Sequence, residues 1–246
     1  MKIITPKPIT AYFEVANEVS SSVLKNEGPA MRLVLEVDEL IRERLFGVDI
    51  DLGIHPMNLT LASYYSFLAA VRVAISGQAA GVFPLLRQGL ECACYAYRMT
   101  EDEQLVDIWL RRHKDAKHEK FCRKSFGSAV SDTSRSIGRK QAELGTLVSE
   151  LYQASIDFGG HPNLKSVLPH MSLKDLEEHV EVALICLYDA NDRHIQFNLT
   201  ACAETGIACA FVAALAAKNH PLIDAEYTSL NAIYGRVRET VAALRE

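Results

Sequence analysis

Arg87 and Glu91 stand four residues apart in the apolar run Phe83 to Tyr97 (FPLLRQGLECACYAY), a spacing that puts two side chains on one helix face where they can pair. Leu85, Leu86, Leu90, Cys92, Ala93 and Ala96 cover most of the remaining circumference, as in a helix buried in a core. Facing water, such a pair is worth only about 0.3 to 0.5 kcal/mol, and Arg preceding Glu is the weaker order against the helix dipole. Facing inward, it would cost on the order of 3 to 5 kcal/mol to remove one partner. Gln88, Tyr95 and Arg98 fall near the same side and widen the pair into a narrow polar stripe. That stripe is either a solvent-facing edge or the lining of a pocket or subunit contact. In the second case Arg87 and Glu91 are candidate catalytic groups and Arg98 a candidate ligand-binding group.

The loop Gly159-Gly160-His161-Pro162-Asn163 is a second candidate. Two glycines free the backbone, Pro162 stiffens the next residues, and His161 and Asn163 are presented by a constrained turn. A histidine there can titrate near neutral pH and act as acid, base or ligand. The competing reading is a helix C-cap followed by a proline turn. His161 is therefore a candidate catalytic residue and Asn163 a candidate ligand contact.

Arg111 to Lys124 (RRHKDAKHEKFCRK) carries seven Lys or Arg, two acids and two histidines. A basic flank of this kind suits phosphate contacts, and equally suits a solvated helix surface. Asp115, His118 and Cys122 share one face at steps of three and four, a spacing that could reach one metal. The Glu and Glu-x-x-His ligands of a carboxylate-bridged helical di-metal site are missing. No metal or cofactor is expected.

Leu85-Leu86-Arg87-x-x-x-Glu91, followed after the basic helix by the His161-Pro162 loop, resembles uncharacterised bacterial helical proteins loosely related to the HEPN and abortive-infection groups. The resemblance spans Gly77 to Asn163. Active HEPN proteins cut RNA without metal through a closely spaced Arg and His. The resemblance thus implies Arg112 with His118, or Arg111 with His118, as such a pair, which adds His118 to the candidate catalytic residues.

The elements that must hold these groups are mostly helical. Thr5 to Lys25 has loose helical spacing and ends before Asn26-Glu27-Gly28. Pro29 opens a helix with the stripe Met31, Val34, Leu35, Val37, Leu40, Ile41 and Leu45, stopped by Gly47. Asn58 is the expected N-cap of a helix from Leu59 to Ser76, and Pro84 falls in the first turn of the helix bearing Arg87. Thr100 and Glu103 have capping-box spacing for a helix running toward Phe121. A long helix is expected from Asp132 to Phe158, closed by Gly159-Gly160. Ser172 to about Val180 reads as helix, whereas Arg193 to Leu199 alternates with the strand period. Two further helices are expected, over Thr200 to Lys218 and Pro221 to Arg245.

The chain has 246 residues, 49% hydrophobic and 23% charged, enough to bury a core without disulfide or metal support. Its six cysteines lie in apolar helical stretches without Cys-x-x-Cys spacing and read as reduced core thiols of a cytoplasmic protein. The N-terminus lacks the apolar stretch of a signal peptide. Leu52 to Val71 is uncharged but too polar for a bilayer span. The net charge of −5 gives no global attraction to nucleic acid or anionic lipid. Phosphate loops, dinucleotide fingerprints, Gly-x-Ser-x-Gly and His-Glu-x-x-His are absent, which removes the usual support for the common nucleotide and hydrolase chemistries.

The sequence therefore predicts an all-α, mainly helical single domain over 1–246. It would be a bundle of about seven to nine helices with one small β-hairpin near 182–199. The expected role is a helical binding or assembly domain, with a homodimer as partner and no membrane. A small molecule or RNA is the open ligand class. The opposing readings are a HEPN-like metal-independent RNase and a pocket enzyme built from Arg87, Glu91 and His161.

Overall fold

A computed structural model describes residues 8–160, 163–176, 179–223 and 228–245. Helix α1 (Ile9–Lys25) leads to α2 (Pro29–Glu39), which starts on Pro29 behind Gly28 and continues into a π-helical turn over Leu40–Leu45. Helix α3 (Ile54–Ile75) and α4 (Val82–Glu101) pack side by side, joined through Gly77. Gly77 takes φ +81°, and a Cβ there would stand 2.4 Å from the Tyr188 carbonyl oxygen, so both the left-handed turn and the close approach require glycine. Short helix α5 (Gln104–Leu110) precedes the basic stretch, which runs through the following turn into α6 (Ala116–Phe126). Helices α7 (Ala129–Gly138) and α8 (Ala142–Ser155) form a hairpin, and α8 ends in a π-helical turn over Ile156–Gly160. A single helical turn, α9 (Leu164–Val167), precedes the antiparallel hairpin of β1 (Met171–Leu176) and β2 (His179–Leu184), in which Met171 faces Leu184 and Leu176 faces His179. Helices α10 (Arg193–Ala216) and α11 (Thr228–Arg245) complete the bundle.

The core is organised around α10. Its Ala, Cys, Gly, Ile, Phe and Val residues are apolar on every side, so it is stable only when surrounded. It packs against α2, α3, α4, α8 and α11, and Leu199, Cys202, Ile207, Phe211 and Val212 are fully enclosed. It is one described helix long and apolar enough to cross a membrane by length and composition, and here most of it is buried inside the protein. His220 pins the segment after α10 to the core: its Nε2 lies 3.1 Å from the Leu45 carbonyl oxygen, and its Nδ1 accepts from the Leu222 amide at 3.1 Å.

The mainly α-helical bundle with a small hairpin expected from sequence is the observed fold, but several boundaries move. The hairpin occupies Met171 to Leu184 in place of the expected helix, in keeping with the alternating valines of His179-Val180-Glu181-Val182. Arg193 to Leu199, which alternates like a strand, instead opens α10, because Asp192 Oδ1 accepts from the His194 amide at 2.8 Å and caps the helix. Helix α3 starts behind Gly53, ahead of Asn58, with Pro56 accommodated in its first turn. The Thr100 capping box does not form: α4 runs through Thr100, whose hydroxyl donates back to the Tyr97 carbonyl at 2.8 Å, and Asp102 Oδ1 accepts from the Gln104 amide instead. The helix expected from Asp132 to Phe158 is two, α7 and α8, because Gly138 and Gly145 touch backbone to backbone and allow the chain to fold back. All six cysteines are free; Cys94, Cys122, Cys202 and Cys209 are core thiols, Cys92 is half-buried, and Cys186 is exposed.

Candidate functional site

Helices α4 and α8 lie against each other, and neighbouring residues on them serve two different concavities. Leu86 and Leu151 look into one concavity, while Arg87 and Tyr152, next in sequence, line another.

The polar concavity encloses about 280 Å³ between α4, α6, the start of α7 and α8. Arg87 Nε donates to Glu91 Oε1 at 2.9 Å, and Arg87 Nη2 donates to the Tyr152 hydroxyl at 3.3 Å. That hydroxyl donates in turn to Glu91 Oε1 at 3.3 Å, closing a three-membered network. The Arg87 guanidinium carbon also lies 5.3 Å from the centre of the Tyr152 ring, within cation–π range. Side-chain exposures of 28% for Arg87 and 34% for Glu91 place the pair in a pocket that is not sealed from water, whereas Gln88 of the same stripe is exposed. Partial burial pulls the Arg87 guanidinium down, yet the Glu91 hydrogen bond and charge outweigh it and leave its pKa raised. Burial, with Glu91's charge, raises the Tyr95 phenol to about 12, so this group stays a neutral donor at all ordinary pH.

The second concavity, about 680 Å³, lies between α4, α8, α10 and α11 and falls in the size range of small-molecule sites. Phe83, Phe158 and Phe197 cluster in its wall, with ring centres 5.2 to 6.1 Å apart. Gly159 permits this, since a Cβ there would meet Phe83 at 2.9 Å and Pro84 at 2.7 Å. Exposure separates its rim from its floor. Lys165, Arg193 and Phe197 are exposed, whereas Ser155, Asn198, Thr200 and Thr205 are buried in an otherwise apolar lining. Lys165 Nζ pairs with Asp157 at 2.7 Å, and His194 Nδ1 lies 2.8 Å from Asp192. The His170 Nδ1 is 2.6 Å from the Tyr188 hydroxyl, and the Tyr188 ring stacks on His194 with centres 4.1 Å apart. Burial, with the charge of His194, lowers the His170 pKa and favours a neutral ring.

Asn198 is the unusual member of this lining. It is 4% exposed, yet among the described residues its carboxamide makes no hydrogen bond, and it borders the cavity. Its amide atoms are not closed off from the cavity, so their hydrogen bonds are left to water or a guest.

Of the sequence candidates, Arg87 and Glu91 meet; Arg98 turns away to Glu101, with Nη1 to Oε2 at 2.7 Å, and does not line the Arg87 pocket. Asn163 caps α9, its Oδ1 accepting from the Lys165 and Ser166 amides at 2.8 and 3.1 Å. His161 lies outside the described residues. His118 is held by Asp115, the N-cap of α6, at 2.7 Å, and Arg111 pairs with Asp107; Arg112 lines the polar pocket while His118 does not. Asp115, His118 and Cys122 do not converge, and among the described residues no three His, Cys, Asp or Glu side chains come close enough to hold a metal. Tyr152, Arg112 and Asn198 were not marked by sequence as members of either concavity. For Asn198 a signal existed, because Asn198, Ala201 and Thr205 share a face once the segment is read as helix.

Comparison with protein-family models, with curated proteins and with solved structures returns no match.

Proposed function

We propose that the protein is a helical binding domain whose 680 Å³ cavity takes an apolar, partly aromatic small molecule bearing one hydrogen-bonding group. The observation that carries this is Asn198. Its carboxamide has no protein hydrogen bond among the described residues and its polar atoms stay reachable from the cavity, so a ligand carbonyl, amide or hydroxyl at that point would replace water there and bond it. The Phe83, Phe158 and Phe197 wall supplies the apolar contact, and the few polar groups orient the guest.

Titration with the neutral fluorophore N-phenyl-1-naphthylamine tests the reading. A saturable, single-site rise in emission is expected, and Ala154→Phe, which puts a ring into the cavity from α8, should abolish it while preserving the helical circular-dichroism spectrum. Asn198→Leu should retain binding of this purely apolar probe and lose preference for carbonyl-bearing analogues such as naphthyl amides. Non-saturating emission, or binding indifferent to Ala154→Phe, would refute the proposal.

A further inference from the structure

The polar pocket on the other side of α4 and α8 contains a charge that the proposed binding function does not use. Three guanidinium groups line it. Arg87 is matched by Glu91 at 2.9 Å and Arg123 by Glu119 at 2.6 Å. Arg112 has neither an ion pair nor a side-chain hydrogen bond among the described residues, and its Nε is shut off from solvent without an acceptor. Only the Nε is closed off, so the charge itself stays solvated, but the guanidinium faces no counter-charge among the described residues and its Nη donors are left for an acceptor entering the pocket. The pocket also holds the Tyr95 phenol, which stays protonated and is therefore a donor, and the Tyr95 ring stacks on Phe126 with centres 4.3 Å apart as a flat apolar wall. Glu91 is the one carboxylate among the pocket's lining residues, and Arg87 and Tyr152 both bond it.

We infer that this pocket binds a small oxyanion, a carboxylate or phosphate monoester, seated on Arg112 with the Tyr95 hydroxyl as a second donor. The charge balance selects an anion: with Arg87 and Arg123 neutralised, the site carries the unmatched charge of Arg112. The volume of about 280 Å³ limits the ligand to a small molecule. A planar organic part would lie against Tyr95 and Phe126. Planar oxyanions suit a guanidinium, which donates two parallel hydrogen bonds to them.

Thermal unfolding at constant ionic strength, with sodium chloride replaced stepwise by sodium phosphate or sodium acetate, tests the inference. Wild-type protein should gain melting temperature with the logarithm of the concentration of at least one of these anions, about 3 to 6 °C for each tenfold above its Kd. Arg112→Met should melt at or above the wild-type temperature in chloride, since the unmatched charge is gone, and should not respond to either anion. Arg112→Lys, which keeps the charge without the planar two-donor fork, should respond weakly. Arg111→Met, exposed and outside the pocket, should respond as wild type does. The inference fails if neither anion acts beyond chloride, or if Arg112→Met still responds. It also fails if single-stranded RNA alone stabilises the protein and Arg111→Met removes that effect as fully as Arg112→Met, which would put the anion on the exposed basic face.

Discussion

Replacing Glu91 by alanine removes two interactions at once, the Arg87 ion pair and the hydrogen bond from Tyr152. With the partners 28% and 34% exposed, solvent screens the pair, and it contributes about 0.5 kcal/mol, the value of exposed i,i+4 pairs. The Tyr152 bond is long at 3.3 Å and adds roughly 0.5 to 1 kcal/mol. Glu91→Ala should therefore cost about 1 to 1.5 kcal/mol, which for a chain of this size lowers the melting temperature by about 2 to 6 °C. A double-mutant cycle with Arg87→Ala, measured by urea unfolding, should give a coupling of about 0.5 to 1 kcal/mol, reduced in 1 M salt. A single-mutant cost of about 3 kcal/mol or more would mean that the pair is sealed in the core. A coupling of zero would mean that the 2.9 Å contact does not persist in solution. Either result refutes the half-open geometry.

In the centre of the bundle, Gly206→Ala would put a methyl 2.8 Å from the Phe67 ring and 2.9 Å from Val37; despite the better helix propensity of alanine, it should lower stability by about 1 to 2 kcal/mol in urea, and a stabilised variant would contradict the packing. The His170 pKa is lowered in the folded state, so the unfolded chain binds the proton more readily. Stability should be full above about pH 6.5 and decline as pH falls toward the folded value. His170→Gln should flatten that decline in melting curves taken from pH 7.5 to 5, and an unchanged slope would assign it to other groups. Burial raises Cys92 to about 11 and Cys209 to about 12, so native protein at pH 8 should show one fast thiol toward a disulfide reagent. Cys186→Ser should remove that phase, and a surviving fast phase would show that a core thiol is reachable.

Where one physical signal dominated, the sequence was legible. Pro29 behind Gly28 fixed the start of α2, and the apolar composition after Thr200, interrupted only at Glu204 and Thr205, marked the central helix. Where two signals competed, the more local one won: a single Asp192 cap turned an alternating heptapeptide into the first turns of α10. At Thr100 the helix simply continued through a good cap to Glu101, because Leu90, Ala93, Ala96 and Met99 keep α4 packed right up to it. For the candidate site, i,i+4 spacing made the Arg87 and Glu91 contact visible in advance. Tyr152 and Arg112 reach it from elements distant in sequence, and periodicity carries no information about which helices become neighbours. Asn198 was concealed by the strand reading of its own segment.

The apolar cavity and the polar pocket are divided by α4 and α8, and each of these helices sends different residues into both. Ser155, in the cavity floor, donates to the Tyr152 carbonyl at 2.7 Å, while the Tyr152 hydroxyl belongs to the Arg87 network. Rotating α8 to admit a bulkier guest beside Leu151 would carry Tyr152 with it and alter the grip on Glu91. Two occupants of these chambers would therefore not bind independently. By thermodynamic reciprocity, whatever factor the first imposes on the second is returned unchanged, which would make this partition a two-input device even if each chamber alone were an ordinary binding site.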